Sequence, residues 1–583
     1  MYNSDIDKQT TFTGSFIFHI NLSMPTTTKT NLQIYFFFLA VTFAFYGITY
    51  KAGFVTDFMG WVHDYDNYSF TGIINSEPHK IKSFYHFTHL LMYAMTYLFR
   101  ISGLPWFLVF SGLYALDAFL LFTVFNRLFT AAHLKNGFRI AMMGVLFFML
   151  SPYQAEVMVW RASFHYLTGF AMMLGIVHLA LIYYDTRQPK YYYYAIGIFT
   201  VSVFSLEYFI FTPVVVALFI GFKYGCDLQE KNKQHSDAVS IRPSLSVFKL
   251  PVMLLGIVTI YFLVHYAITK HWLGHRRDGT AGFELVSMHS FSTYGKYIFK
   301  ELFFLRYLEP AAKDTVFNFF DKPVVSGLIC GLLIGITVCG ICFFRKMLTR
   351  LKFIFLNFCL FSVLLVPVIS IFFYYLQYSE NDRYGFFPSA FIFMALSLAL
   401  SYLPKKLFYV VSCAYLIFSG ILLIKTNRMW MKSERVFSAI SNNFHWWDNK
   451  EVCILNAAGD YKGVHMFRYW DDVSGIIEAA EVFQKKKFTG HATEVVQYNM
   501  TTPTDGVNVK QIAPDTLLVT FNQWGNWWWK KGLGASNYET TDYKVILDFN
   551  NCGRCYALVL KNKNPARVYL YQDGDDLKEF KLK

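Results

Sequence analysis

From about residue 31 to about residue 425, apolar runs alternate with short polar stretches, and beyond that point the long runs stop. Runs near 31–50, 105–125, 138–151, 163–184, 191–206, 208–223, 249–269, 323–344, 353–374, 385–402 and 406–425 predict eleven transmembrane helices. A further apolar segment, FYHFTHLLMYAMTYLF at 84–99, is short for a span at about 16 residues and carries His86 and His89 in its first turns.

Charge decides how that segment lies. If it does not cross, the basic stretches around Arg127/Lys135/Arg139, Arg187/Lys190, Lys223/Lys231/Lys233/Arg242/Lys249, Arg345/Lys346/Arg350/Lys352 and Lys405/Lys406 all fall on one side. Lys and Arg concentrate in cytoplasmic loops, so that side is the cytoplasm. The segment is therefore expected to lie in the outer interface or to re-enter from it. Residues 1–30 are then cytoplasmic, 31–426 form the membrane domain, and 427–583 are extracytoplasmic. Two outer loops are large, 51–104 and 270–322; in the second, YGKYIFKELFFLRYL has helical apolar spacing interrupted by Lys296, Lys300 and Arg306, which predicts a helix on the membrane surface. The tail reads as a small α+β domain: a helix at 429–443, a strand at 451–457, a helix near 472–487, and apolar or alternating runs at 516–521, 544–549, 556–561 and 567–571. The fold class is thus a polytopic α-helical membrane protein with a small C-terminal extracytoplasmic domain.

Composition agrees and narrows the class. The chain has 583 residues, 55% hydrophobic and only 16% charged, which excludes a disordered, collagenous or disulfide-scaffold protein. The net charge of +14 resides in the membrane part, because 427–583 holds 20 basic against 18 acidic residues. Cytoplasmic loops or a phosphorylated lipid account for such an excess, and no nucleic acid is needed. Of nine cysteines, Cys552 and Cys555 form one CxxC in the tail, read as a hairpin disulfide or inert thiols ahead of zinc. The first 30 residues lack a signal-peptide pattern, so the first span is expected to be an uncleaved anchor.

Candidate chemistry gathers on the outer side. DFMGWVHDYDNYSF holds Asp57, His63, Asp64 and Asp66; a carboxylate there can accept a proton from an attacking hydroxyl, or the residues are a hydrated loop, or they bind Mg²⁺ or Mn²⁺. Glu156, Arg161 and His165 lie at the outer ends of the third and fourth spans, and Glu207 in the turn after the fifth. Asp382, Arg383 and Tyr384 open the tenth; the guanidinium suits a lipid phosphate, and interfacial anchoring is the alternative. WGNWWWKK at 524–531 reads as an aromatic belt resting on membrane lipids.

With Asp57 to Asp66 in the first loop, the 84–99 helix followed by SGLPW at 102–106, SPYQAEVMVW at 151–160 and the Arg383/Tyr384 pair, the chain resembles the GT-C class of integral-membrane glycosyltransferases. The resemblance is architectural, covers most of the chain, and is nearest to uncharacterised bacterial members. It implies an inverting transferase of the cell envelope that moves a sugar from a polyprenyl-phosphate donor to a glycan, lipid or protein acceptor at the outer face. One loop carboxylate, Asp57 first and Asp64 second, would be the base; Asp66, His63, Glu156, Arg161, His165, Glu207, Arg383 and Tyr384 would contact substrate. The usual acidic pair of the class is absent, and HDYD at 63–66 stands near its place. A lipid or glycan transporter and a non-catalytic assembly protein are the alternatives. A transporter would concentrate polar residues at mid-span, where Asp117 is the clearest.

Overall fold

A computed structural model describes residues 28–74, 84–205, 207–234, 245–272, 288–372, 382–467, 474–522, 537–562 and 564–583. α1 (Thr28–Tyr46) is followed by three loop helices, α2 (Asp57–Asn67), α3 (Phe70–Ile74) and α4 (His86–Phe99), and then by the 29-residue α5 (Gly103–Ala131). α6 (Gly137–Leu150) breaks at Ser151–Pro152, where proline removes a helical N–H, and bends by 56° into the short α7 (Ala155–Val159). α8 (Phe164–Thr186) and α9 (Pro189–Ser202) pack as a hairpin, followed by α10 (Thr212–Gln234) and α11 (Lys249–Thr269). The second large loop supplies α12 (Met288–Phe303) and α13 (Pro310–Phe320). α14 (Pro323–Phe343), α15 (Thr349–Phe372), α16 (Phe386–Leu400) and the 39-residue α17 (Lys405–Asn443) complete the bundle. Pro189, Pro310 and Pro323 each stand at a helix start, where the missing N–H has no partner to lose.

The protein is a multi-pass membrane protein. Among the described residues nine helices are long and apolar enough to cross, and the bent α6–α7 pair brings the number to ten. The eleventh expected span, 191–206, corresponds to α9, which at 14 residues is shorter than a full crossing. α16 is the most enclosed, with 72% of its apolar stretch buried, and α14 the least, with 6%, so α16 is central and α14 stands at the rim facing lipid.

α4 does not join opposite ends of the bundle. Phe87 N–H donates to Phe204 O just past α9, while at the other end of α4 Arg100 O accepts from Trp106 Nε1 at the start of α5. Both anchor points lie at the end of the bundle that carries the C-terminal domain.

α17 passes through residues 426 and 427 without a break, so the expected last span and the expected helix of the tail are one rod. Its character changes along its length. Val410, Ile417, Phe418 and Ile421 are exposed as on a lipid face, whereas Trp430, Val436, Phe437 and Ile440 are buried against the C-terminal domain. That domain contains β1 (Glu451–Tyr461), β2 (Val464–His465), α18 (Gly475–Gln484), β3 (His491–Met500), β4 (Val507–Ala513), β5 (Thr516–Phe521), β6 (Tyr538–Glu539), β7 (Tyr543–Leu547), β8 (Cys555–Leu560), β9 (Arg567–Asp573) and β10 (Asp576–Phe580). One sheet has β1 parallel to both β3 and β9, with β10 outside β9 and β2 turned back on β1; the other runs β4-β5-β8-β7-β6, all antiparallel. Tyr556 donates to Leu455 O at 2.6 Å and links the sheets, and a disulfide ties Cys552 to Cys555, the first residue of β8. The Trp-rich segment at 524–531 lies outside the described residues.

Candidate functional site

Four segments distant in sequence meet where the bundle joins the C-terminal domain. The first is 53–57, between α1 and α2. Gly53 has φ +94°, and a Cβ there would fall 1.8 Å from Val159 O, so the backbone approach requires glycine. Gly53 and Phe54 N–H both donate to Glu434 on α17 at 3.0 and 2.9 Å, Gly53 O accepts from Arg161 N–H, and Trp160 Nε1 donates to Val55 O. Thr56 N–H reaches Met466 O at 3.2 Å in the third segment, the β1–β2 hairpin of the C-terminal domain. Asp57 follows immediately as the half-buried first residue of α2.

The second segment is α7 with the turn after it, and the fourth is the turn 382–385 that opens α16. Arg383 Nη1 lies 2.5 Å from Glu156 Oε1, and Arg383 N–H donates to Glu156 Oε2 at 3.2 Å. His465 Nε2 stands 3.3 Å from the same carboxylate. The guanidinium is sandwiched between the Trp160 and Tyr384 rings, 4.9 and 4.7 Å from their centroids, and Trp160 also packs on His465 at 4.8 Å. Glu156, Arg383, His465 and Trp160 are almost fully enclosed, so the ion pair is made at low dielectric where both charge and geometry count.

A second cluster adjoins it through Asp382. Lys300 Nζ lies 2.6 Å from one Asp382 oxygen and Arg306 contacts the other. Lys300 and Arg306 also face the Tyr153 ring. Glu301, fully buried beside them, has its carboxyl pushed up to about 8 by burial, with Asp382 adding to the rise and Lys300 and Arg306 opposing it. The folded protein therefore holds a proton that an unfolded chain releases near 4.5. Stability from this group is present below about 4.5 and is lost as pH rises to about 8, at up to about 1.4 kcal/mol per pH unit. Glu301→Gln is expected to flatten that decline, so thermal unfolding in detergent between pH 5 and 9 should show the variant gaining on wild type as pH rises; parallel curves would place the proton elsewhere.

Between α8, α9, α10 and α16, one turn membrane-ward of Tyr384, lies a small recess with room for about one water molecule. Gly169, Met173, Phe209 and Phe387 line it with the hydroxyl residues Ser202 and Thr212. Its lining is mostly apolar with a few hydroxyls.

The expected site residues separate into groups. Glu156, Arg383 and Tyr384 come together, with Asp57 on the adjoining segment. His63 and Asp64 face α18 instead: His63 Nε2 is 2.7 Å from Glu481 Oε2 and its Nδ1 is 3.9 Å from Asp64. Burial opposes the charged ring, but Asp64, Glu481 and Glu478 outweigh it and keep His63 protonated up to about 10. Asp66 is bound bidentately by Arg100 at 2.5 and 2.9 Å on the exposed side. Arg161 is wholly buried, donating to Thr49 O and Met158 O and packed on Phe54 and Phe110. His165 is half-buried between Trp61 and Tyr166, and the Glu207 side chain lies outside the described residues. The four metal candidates of the first loop thus diverge, two toward α18 and one toward Arg100. Among the described residues no group of three or more His, Cys, Asp or Glu is arranged to hold a metal ion.

Sequence reasoning missed His465, Trp160 and Glu434, and took Lys300 and Arg306 only as interruptions in a helix expected on the membrane surface. His465 carried no signal, because nothing local in the hairpin distinguishes it. Lys300, Glu301 and Arg306 did: three charges in one apolar helical stretch call for partners when that stretch is enclosed.

The fold and site define a polytopic helical membrane protein with a buried ionic cluster beneath a β-rich C-terminal domain. No family model and no curated protein matches the chain. Among solved structures, ArnT from Cupriavidus metallidurans, crystallised with undecaprenyl phosphate, aligns with 80% of this chain and 90% of its own at 14% identity and a TM-score of 0.29. A likeness of that size carries no functional argument.

Proposed function

We propose that this chain is an inverting membrane glycosyltransferase that moves a sugar from a polyprenyl-phosphate donor to a glycan, lipid or protein acceptor at the outer face of the cell membrane. The observation that supports it is the enclosed Arg383 cluster at the end of the bundle that meets the C-terminal domain, with the Asp57 segment adjoining it through Trp160 and Met466. Arg383, with Tyr384 and Trp160 around it, receives the donor phosphate. Asp57 takes the proton of the acceptor hydroxyl as its oxygen attacks the anomeric carbon, the bond to phosphate breaks, and the anionic polyprenyl phosphate departs against Arg383. Inversion needs no covalent intermediate.

Two features support an outward-facing site. Arg127 and Lys223 meet Asp185, and Arg350 donates to Ser401 O, so the basic loop residues gather at the end opposite the C-terminal domain. The Cys552–Cys555 disulfide suits an oxidising compartment. Single cysteines placed at exposed Asp576 and at exposed Lys405 are expected to react with an impermeant reagent in intact cells at the first position only; the reverse pattern would put the site in the cytoplasm.

Binding and turnover together test the activity. Purified protein in nanodiscs is expected to bind polyprenyl phosphate saturably and to transfer label from polyprenyl-phosphate sugar to acceptors. Saturable binding with movement of the intact lipid between leaflets, and no transfer, would favour a transporter. Asp117, the mid-span acid such a protein would use, is enclosed in α5 with no hydrogen-bond partner among the described residues.

A further inference from the structure

The turn that carries Arg383 is clamped from α12. Lys300 and Arg306 share Asp382, whose carboxylate is buried. Three residues further on, Gly385 lies under Tyr297 so closely that a Cβ there would be 1.5 Å from the tyrosine oxygen, and 3.1 Å from Glu301 Oε1. Thus α12 and the turn after it, Leu305–Tyr307, grip both ends of 382–385, while Glu156 holds Arg383 between them.

Stability alone is a poor reason for this arrangement. Burying two cations and a carboxylate costs desolvation that apolar residues of the same volume would avoid, and such triads are often replaceable without loss. What a triad fixes well is geometry. The Arg383 guanidinium packs on Trp160 and Tyr384 with Nη1 on Glu156, which also accepts from the Arg383 backbone N–H; the preceding residue, Asp382, is held separately from α12 and the turn after it.

We propose that Asp382, through Lys300 and Arg306, is a positioning residue that aims Arg383 at the donor phosphate, a role that rests on the proposed glycosyltransferase activity. α12 thereby sets the affinity of a site whose phosphate-binding group it does not supply. Asp382 itself does not touch substrate.

The test is a double-mutant cycle on polyprenyl phosphate binding by the full chain in nanodiscs, with wild type, Asp382→Asn, Arg383→Lys and the double variant. Because Asp382 acts only through the guanidinium, Asp382→Asn should weaken binding about tenfold in wild type and less than about twofold when Arg383 is already Lys. Lys300→Arg, which keeps the charge, should bind as wild type does. Where Asp382→Asn does not fold, Lys300→Gln leaves Arg306 on the carboxylate and enters the same cycle, with a loss of about threefold that again vanishes beside Arg383→Lys. Equal losses in both backgrounds, or no loss, would show a merely structural triad and overturn the proposal while leaving the donor site in place. No saturable binding by wild type would overturn the donor site and this proposal together.

Discussion

Arg383→Met is expected to destabilise the protein by about 3–5 kcal/mol, because it strands the Glu156 carboxylate in an enclosed site. Glu156 is 4% exposed and accepts from both the guanidinium and the backbone N–H of Arg383, with His465 as its further neighbour. Glu156→Gln strands the cation in turn and should carry a penalty of the same order. The double variant, Glu156→Gln with Arg383→Met, leaves no buried charge of this pair without a partner and is expected to recover most of the loss. Unfolding of the four proteins in one detergent measures the coupling. Additive losses would mean that the two side chains are solvated separately and do not form a sealed ion pair. Arg383→Lys separates stability from function: it keeps the charge for Glu156, loses the planar fork, and should retain fold while weakening donor binding.

Asp57→Asn is expected to lower turnover by about 10² to 10⁴ with expression and donor binding unchanged, since the amide is nearly isosteric and cannot accept the proton. Position favours Asp57 among the loop acids. Asp64 sits with His63 against α18, and Asp66 pairs with Arg100 on the exposed side, whereas Asp57 adjoins the segment that meets the Arg383 cluster. It opens α2 at the end of a stretch held at 53–56 by Glu434, Arg161, Trp160 and Met466, and those same contacts bring in the residues around Arg383. A base must be placed to within a fraction of an ångström, and a segment pinned at four points supplies that. Asp66→Asn should leave the rate within about twofold, as expected for an exposed ion pair. Full activity in Asp57→Asn would move the base elsewhere, with Asp64, Glu156 and Glu207 next to be tested.

The spans were legible because hydropathy alone marks them, and the paired strands β5, β8 and β9 because their runs are short and apolar. α9 was counted as a span on apolarity, although the helix itself closes after 14 residues. The α6–α7 bend follows from Ser151–Pro152 but needs the packing of α16 and α17 to give it direction. The continuity of α17 was hidden because the hydrophobic pattern changes at about 425 while the helix does not, the surrounding medium changing from lipid to protein. β3 was hidden because its sequence HATEVVQYNM is polar, and pairing with β1 buries it only after α18 has crossed over. In the site, Glu156 and Arg383 were both visible as polar residues at span ends, yet their pairing across 227 positions is a tertiary fact. His465, 309 positions from Glu156, enters only because α17 carries the C-terminal domain back over the bundle.

The most direct measurement is a cryo-EM structure of the protein in nanodiscs with polyprenyl phosphate bound. The proposed function predicts density for the phosphate against Arg383, Tyr384 and Trp160, with Asp57 facing the phosphate from α2. A phosphate bound at the basic end around Arg127, Lys223 and Arg350, or none at the Arg383 cluster under saturating lipid, would contradict it.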